Sequence, residues 1–152
     1  MSNILFDHKS AYIVHKALEY KIQAKENMIV ANVPDIADSF KEQLTKEREI
    51  FESFTGIVFM LSLDKELPRN INIGRKKAYV LLEALEDLIK VRKKLISEND
   101  NNNNKDFSNQ LALETKVLTP IKTKVNYLWG KKTQESDALP DERRYLDYYK
   151  IS

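Results

Sequence analysis

Apolar residues along this chain return at steps of three and four, the spacing that stacks side chains on one face of an α-helix. Ile13, Ala17, Tyr20, Ala24, Met28 and Ala31 form one row, and Val14, Leu18, Ile22 and Ile29 run beside it. Two adjacent rows predict a helix over about residues 8–31 that presses against more than one neighbour. A second helix is predicted over 34–66, with Pro34 in its first turn and Asp35 and Asp38 at its positive end. Ile36, Phe40, Leu44, Phe51, Phe54, Val58 and Leu61 line its apolar face. Its stretch from Thr55 to Leu63 is the most apolar in the chain and reads as buried. Gly56 costs such a helix about 1 kcal/mol relative to alanine, and a close helix crossing is a reason to keep it there.

Pro68 ends this helix, and Pro68–Gly74 reads as a loop. A third helix over 75–97 carries Ala78, Leu82, Leu85, Ile89 and Ile96, with Leu81, Leu88 and Leu95 alongside. Residues 97–105 hold no apolar side chain, so nothing offsets their ordering entropy and a mobile linker is expected. In a fourth helix over 107–129, Leu111, Leu118, Ile121, Val125 and Leu128 stay in phase through Pro120, which favours one kinked helix over two. The strict alternation of a half-buried strand is read nowhere. The pattern predicts an all-α fold, an antiparallel four-helix bundle forming one domain over 1–134. A polar, tyrosine-rich tail follows over 135–152, with a short helix from Pro140 that sets Tyr145, Leu146 and Tyr149 on one side.

Composition narrows the chemistry. The 152 residues include no cysteine, which excludes disulfides, thiolate metal sites and cysteine nucleophiles. Gly56, Gly74 and Gly130 lie too far apart for a phosphate-cradling loop, and no serine sits in a Gly-x-Ser-x-Gly elbow. His8, Tyr12, His15 and Glu19 share one helix face and could in principle hold a divalent metal or relay protons. That stripe lies away from the apolar rows and reads as a solvated face, and the Glu-x-x-His pairs of di-iron bundles are missing. Neither an enzyme nor a metal or cofactor is expected. Ile4, Leu5 and Phe6 make too short an apolar patch for a signal peptide, and no run approaches the ~18 apolar residues of a membrane span. The expected location is intracellular and cytoplasmic, off the membrane.

The net charge of +2 conceals a division. Residues 1–67 hold 8 Lys/Arg against 11 Asp/Glu, residues 68–134 hold 14 against 7, and residues 135–152 hold 3 against 5. In the basic part, Arg75, Lys76 and Lys77 at the start of the third helix should lie beside Lys131 and Lys132 after the fourth. Such a cluster could meet phosphate or an acidic protein surface. In the tail, Tyr145, Tyr148 and Tyr149 are of the type that concentrates energy at interfaces, and the tail either engages a partner or docks on its own bundle.

Lys16-Ala-Leu-Glu-Tyr, Met28-Ile-Val-Ala-Asn32 and Phe40-Lys41 resemble the N-terminal helix of flagellar basal-body rod proteins, without that family's Thr-Pro-Gly-Tyr turn or strand-rich middle. Residues 118–127 are similar to a helix in nucleolar ribosome-processing cofactors, without the surrounding pattern. Neither supports a family assignment. The residues point to a non-enzymatic interaction protein, an adaptor, chaperone-like factor or complex subunit that binds another protein or its own copies. Nucleic-acid binding through 68–134 is the alternative.

Overall fold

The computed structural model describes residues 3–98, 104–130 and 140–151. In chain order these form β1 (Asn3–Phe6), α1 (His8–Val30), α2 (Asp38–Ser62), β2 (Arg69–Asn72), α3 (Arg75–Glu98), α4 (Asn104–Trp129) and a 3₁₀ segment, η1 (Pro140–Tyr148). The four α-helices pack against one another as an all-α bundle. Contacts from Lys25 to Glu47 and from His15 to Thr55 make α1 and α2 an antiparallel hairpin. Those from Arg92 to Glu114 and from Tyr79 to Trp129 do the same for α3 and α4.

α1 begins where its first turn is satisfied. The Asp7 carboxylate accepts the Ser10 amide at 2.8 Å, and the Ser10 hydroxyl oxygen accepts the Asp7 amide at 3.1 Å, a reciprocal cap. The backbone hydrogen bond from Ser10 holds the Asp7 carboxyl below its ordinary value. At the other end, Ala31 closes the helix and Asn32 follows with φ 55°.

The predicted start of the second helix is corrected. Asp35 stands at φ 64°, a left-handed conformation that no helical first turn admits, so α2 opens four residues after Pro34, at Asp38. The loop predicted at 68–74 contains a strand. Ile71 is buried between the exposed Asn70 and Asn72, as Ile4 and Phe6 are on either side of the exposed Leu5, and the two short strands pair antiparallel. Ile4 faces Ile71 and Phe6 faces Arg69. Four residues per strand are too few for alternation to stand out in a helical sequence.

Two features of α2 depart from expectation. Thr55–Leu63 is not buried as a whole: Leu61 is 1% exposed, but Phe59 and Leu63 are 66% and 74% exposed. Nor does Gly56 mark a close crossing, since nothing lies within 4 Å of the position a Cβ would occupy. α4 is one helix through Pro120, as its unbroken apolar phase predicts, and the Thr119 hydroxyl bonds the Thr115 carbonyl at 3.2 Å just before the proline. The expected 97–105 linker is shorter at both ends, because Ser97 and Glu98 complete α3 while Asn104 and Lys105 open α4. Its centre, 99–103, lies outside the described residues.

The main core joins Ile4 and Phe6 of β1 to Leu18, Phe54, Leu85 and Val125 of the four helices. A second, smaller core gathers Ala24, Met28 and Phe40 around Tyr145 of η1. The C-terminal segment is therefore a packed element of this fold.

Candidate functional site

Beside that smaller core lies the most unusual chemistry of the molecule. Val14, Leu18, Lys21, Lys25 and Met28 recur on α1 at steps of four and three, so the two lysines occupy positions that the pattern reserves for core side chains. Both are 2% exposed. An unpaired ammonium at that depth costs several kcal/mol, so each must be met by opposite charge. Lys25 Nζ lies 2.9 Å from Glu47 Oε2 on α2. Lys21 Nζ lies 3.1 Å from both Asp87 Oδ2 and Glu83 Oε1 on α3, and 3.9 Å from Glu47 Oε2. Asp87 and Glu47 are themselves buried.

η1 closes this chamber. The Tyr145 hydroxyl donates to Asp87 Oδ2 at 2.7 Å, and its ring lies beneath both ammonium groups, 5.4 Å from Lys21 Nζ and 5.0 Å from Lys25 Nζ. Lys25 also sits 5.1 Å from the Phe40 ring. Along the rim, Asn27 Nδ2 donates to the Tyr148 carbonyl at 3.2 Å and Arg144 Nη2 to the Pro34 carbonyl at 3.0 Å. The Tyr149 hydroxyl and Glu47 Oε1 are sealed from solvent without a hydrogen-bond partner.

The electrostatics of the two lysines diverge. Burial pulls Lys21 down, but Asp87, Tyr145, Glu83 and Glu47 together hold it well above the ordinary lysine value. For Lys25 burial prevails over Glu47, and the neighbouring Lys21 charge pushes the same way, so its value is lowered. Burial raises both Tyr145 and Tyr149, which keeps the phenols protonated and able to donate. With donors, acceptors and cations arrayed around an aromatic ring, the chamber is suited to holding a tyrosine.

The residues singled out from the sequence fall into separate places. Tyr145 is 4% exposed inside its own chain, and Tyr148 and Tyr149 are half-buried. Arg75 and Lys76 are exposed, with Arg75 stacked 5.7 Å from the Tyr79 ring, and Lys77 Nζ donates to Ser53 Oγ at 3.1 Å. The Tyr79 hydroxyl donates to the Trp129 and Gly130 carbonyls at 3.3 and 2.8 Å, which brings the start of α3 to the end of α4 as expected. Lys131 and Lys132 lie outside the described residues.

The stripe read as a solvated face is corrected at His15, whose ring stacks on Phe51 with centroids 4.2 Å apart and whose Nε2 lies 2.8 Å from Thr55 Oγ1. Glu19 turns instead to Lys16, at 2.7 Å. Among the described residues, no group of three or more His, Asp or Glu side chains could hold a metal ion. Likewise, no helix among them is long and apolar enough to cross a membrane.

Sequence reasoning missed Lys21, Lys25, Glu47 and Asp87. The available signal was an ionisable residue at a position in phase with the core. Glu47 falls between Leu44 and Phe51, and Asp87 between Ala84 and Val91, each at the step where an apolar side chain was due. Compared with protein-family models, curated proteins and solved structures, the chain matches none.

Proposed function

We propose that this protein is a non-enzymatic helical interaction module that binds another protein by taking a tyrosine-bearing segment into the chamber its own η1 fills. The observation behind this reading is the Tyr145 hydroxyl on Asp87, with its ring against two buried lysines. An apolar floor would seal a bundle as well or better, whereas a buried ionic floor contributes little to stability and can confer selectivity. This floor discriminates for an aromatic ring that carries a hydroxyl. In this reading η1 is the resident ligand, and a partner presenting the same groups competes with it.

The basic part has less behind it. Lys94 and Lys122 are engaged by Asp147 and Glu86, which reduces the charge free to meet phosphate.

The test uses a chain ending at residue 139, with circular dichroism to establish that it stays helical, and a labelled peptide of residues 140–152. The folded, shortened chain is expected to bind the peptide. A peptide with Tyr145→Phe should bind about tenfold more weakly, because a hydrogen bond to a charged group is worth roughly 1.5–3 kcal/mol. A folded chain that ignores the peptide, or takes the phenylalanine form equally well, removes the proposal.

A further inference from the structure

A second site lies apart from the tyrosine chamber. A cleft of about 620 Å³ opens between α1, α3 and α4, with Ile151 on its edge. That volume falls in the range of small-molecule sites. Ile13, Leu88 and the ring of Phe107 give it apolar wall, and Tyr12, Tyr20 and Gln110 add polar groups.

Arg92 and Glu114 line it as well, 4% and 1% exposed. Arg92 Nε donates to Glu114 Oε1 at 2.8 Å, and the guanidinium lies 5.5 Å from the Phe107 ring centroid. The contact is single: among the described residues, neither Nη group of Arg92 makes a hydrogen bond, and nor does the second oxygen of Glu114. Both side chains line the cleft, so this ion pair forms part of its wall. A nearly buried guanidinium with unused donors beside a nearly buried carboxylate with an unused acceptor is an arrangement complementary to a ligand that carries both charges.

Lys16, whose Nζ pairs with Glu19, and Asp106 also line the cleft. Two cations and two carboxylates leave the lining neutral overall, which disfavours a simple anion. We infer that the cleft binds a small zwitterion of the α-amino-acid type with an aromatic or large apolar side chain. Its carboxylate would take the Nη groups of Arg92, its ammonium would face Glu114 and Asp106, and its side chain would lie against Phe107 and Leu88.

The test is equilibrium binding to the full chain, followed by NMR, of L-phenylalanine and three probes. These are 3-phenylpropanoate, which lacks the ammonium, phenethylamine, which lacks the carboxylate, and inorganic phosphate. L-Phenylalanine is expected to bind and to shift resonances of Phe107 and Gln110. Loss of either charged group should weaken binding about tenfold or more. Because Arg92→Ala removes a buried charge and risks the fold, the variant of choice is Asp106→Asn, at an exposed position, expected to weaken phenylalanine severalfold while leaving 3-phenylpropanoate unchanged. Absence of binding overturns the inference. So does phosphate or 3-phenylpropanoate binding as tightly as the amino acid, or phenylalanine shifts confined to residues outside the cleft.

Discussion

His15 illustrates how a neighbouring element changes the chemistry of a side chain. Stacked on Phe51 and bonded to Thr55, its ring is partly withdrawn from water, and burial lowers its pKa from 6.5 despite the opposing pull of Glu19. The unfolded chain therefore takes up this proton at a higher pH than the folded one. Stability from the neutral ring is present above 6.5 and is lost as the pH falls through the lower folded value. Urea midpoints at pH 7.5 and 5.0 should show a larger acid loss for the native chain than for His15→Phe, which keeps the stack and cannot titrate. Equal losses would place the acid sensitivity elsewhere. The sequence set His15 on a polar stripe because helical phase describes one helix, whereas the stack comes from a residue of α2. Lys21, Lys25, Glu47 and Asp87 were legible in phase but not in type. Spacing marks a position as core, and only a second and third helix supply the countercharge that lets an ion occupy it.

Among the elements, the helices were legible because each keeps a long apolar phase, and α4 kept it through Pro120. The ribbon was not, because four residues hold only two turns of alternation and the partner strands are far apart in the chain. The end of α2 departs from its expected burial for a related reason. Thr55–Leu63 is apolar on nearly every side, so composition alone suggests full burial, yet the structure covers it on one side. Leu61→Ala should cost about 2–5 kcal/mol because it empties a packed position. Phe59→Ser and Leu63→Ser, two residues to either side, should each change stability by less than about 0.5 kcal/mol. Chemical denaturation of the three variants tests this contrast, and a large loss at Phe59 or Leu63 would show that another surface covers them in solution.

For the molecule as a whole, the question is why a bundle with ample apolar surface places four ions at the meeting of three helices and its C-terminal segment. If the ions chiefly stabilise the fold, replacing them together should be costly. If they chiefly select what lies over them, joint replacement should be harmless, since a buried ion pair exchanged for apolar groups of similar volume is often neutral or stabilising by about 1–4 kcal/mol. The decisive variant combines Lys21→Met, Lys25→Met, Glu47→Leu, Asp87→Leu and Tyr145→Phe, which removes two charges of each sign together with the phenol that meets them. It should unfold in urea at or above the native midpoint. Asp87→Leu alone should lose about 3–5 kcal/mol, because Lys21 then keeps its burial without its nearest buried counterion. A combined variant as unstable as Asp87→Leu would make the ionic floor a structural necessity and leave recognition of tyrosine without its physical motive. A combined variant that is stable but, shortened to residue 139, no longer distinguishes tyrosine from phenylalanine in the peptide of residues 140–152 would locate that selectivity in these four side chains.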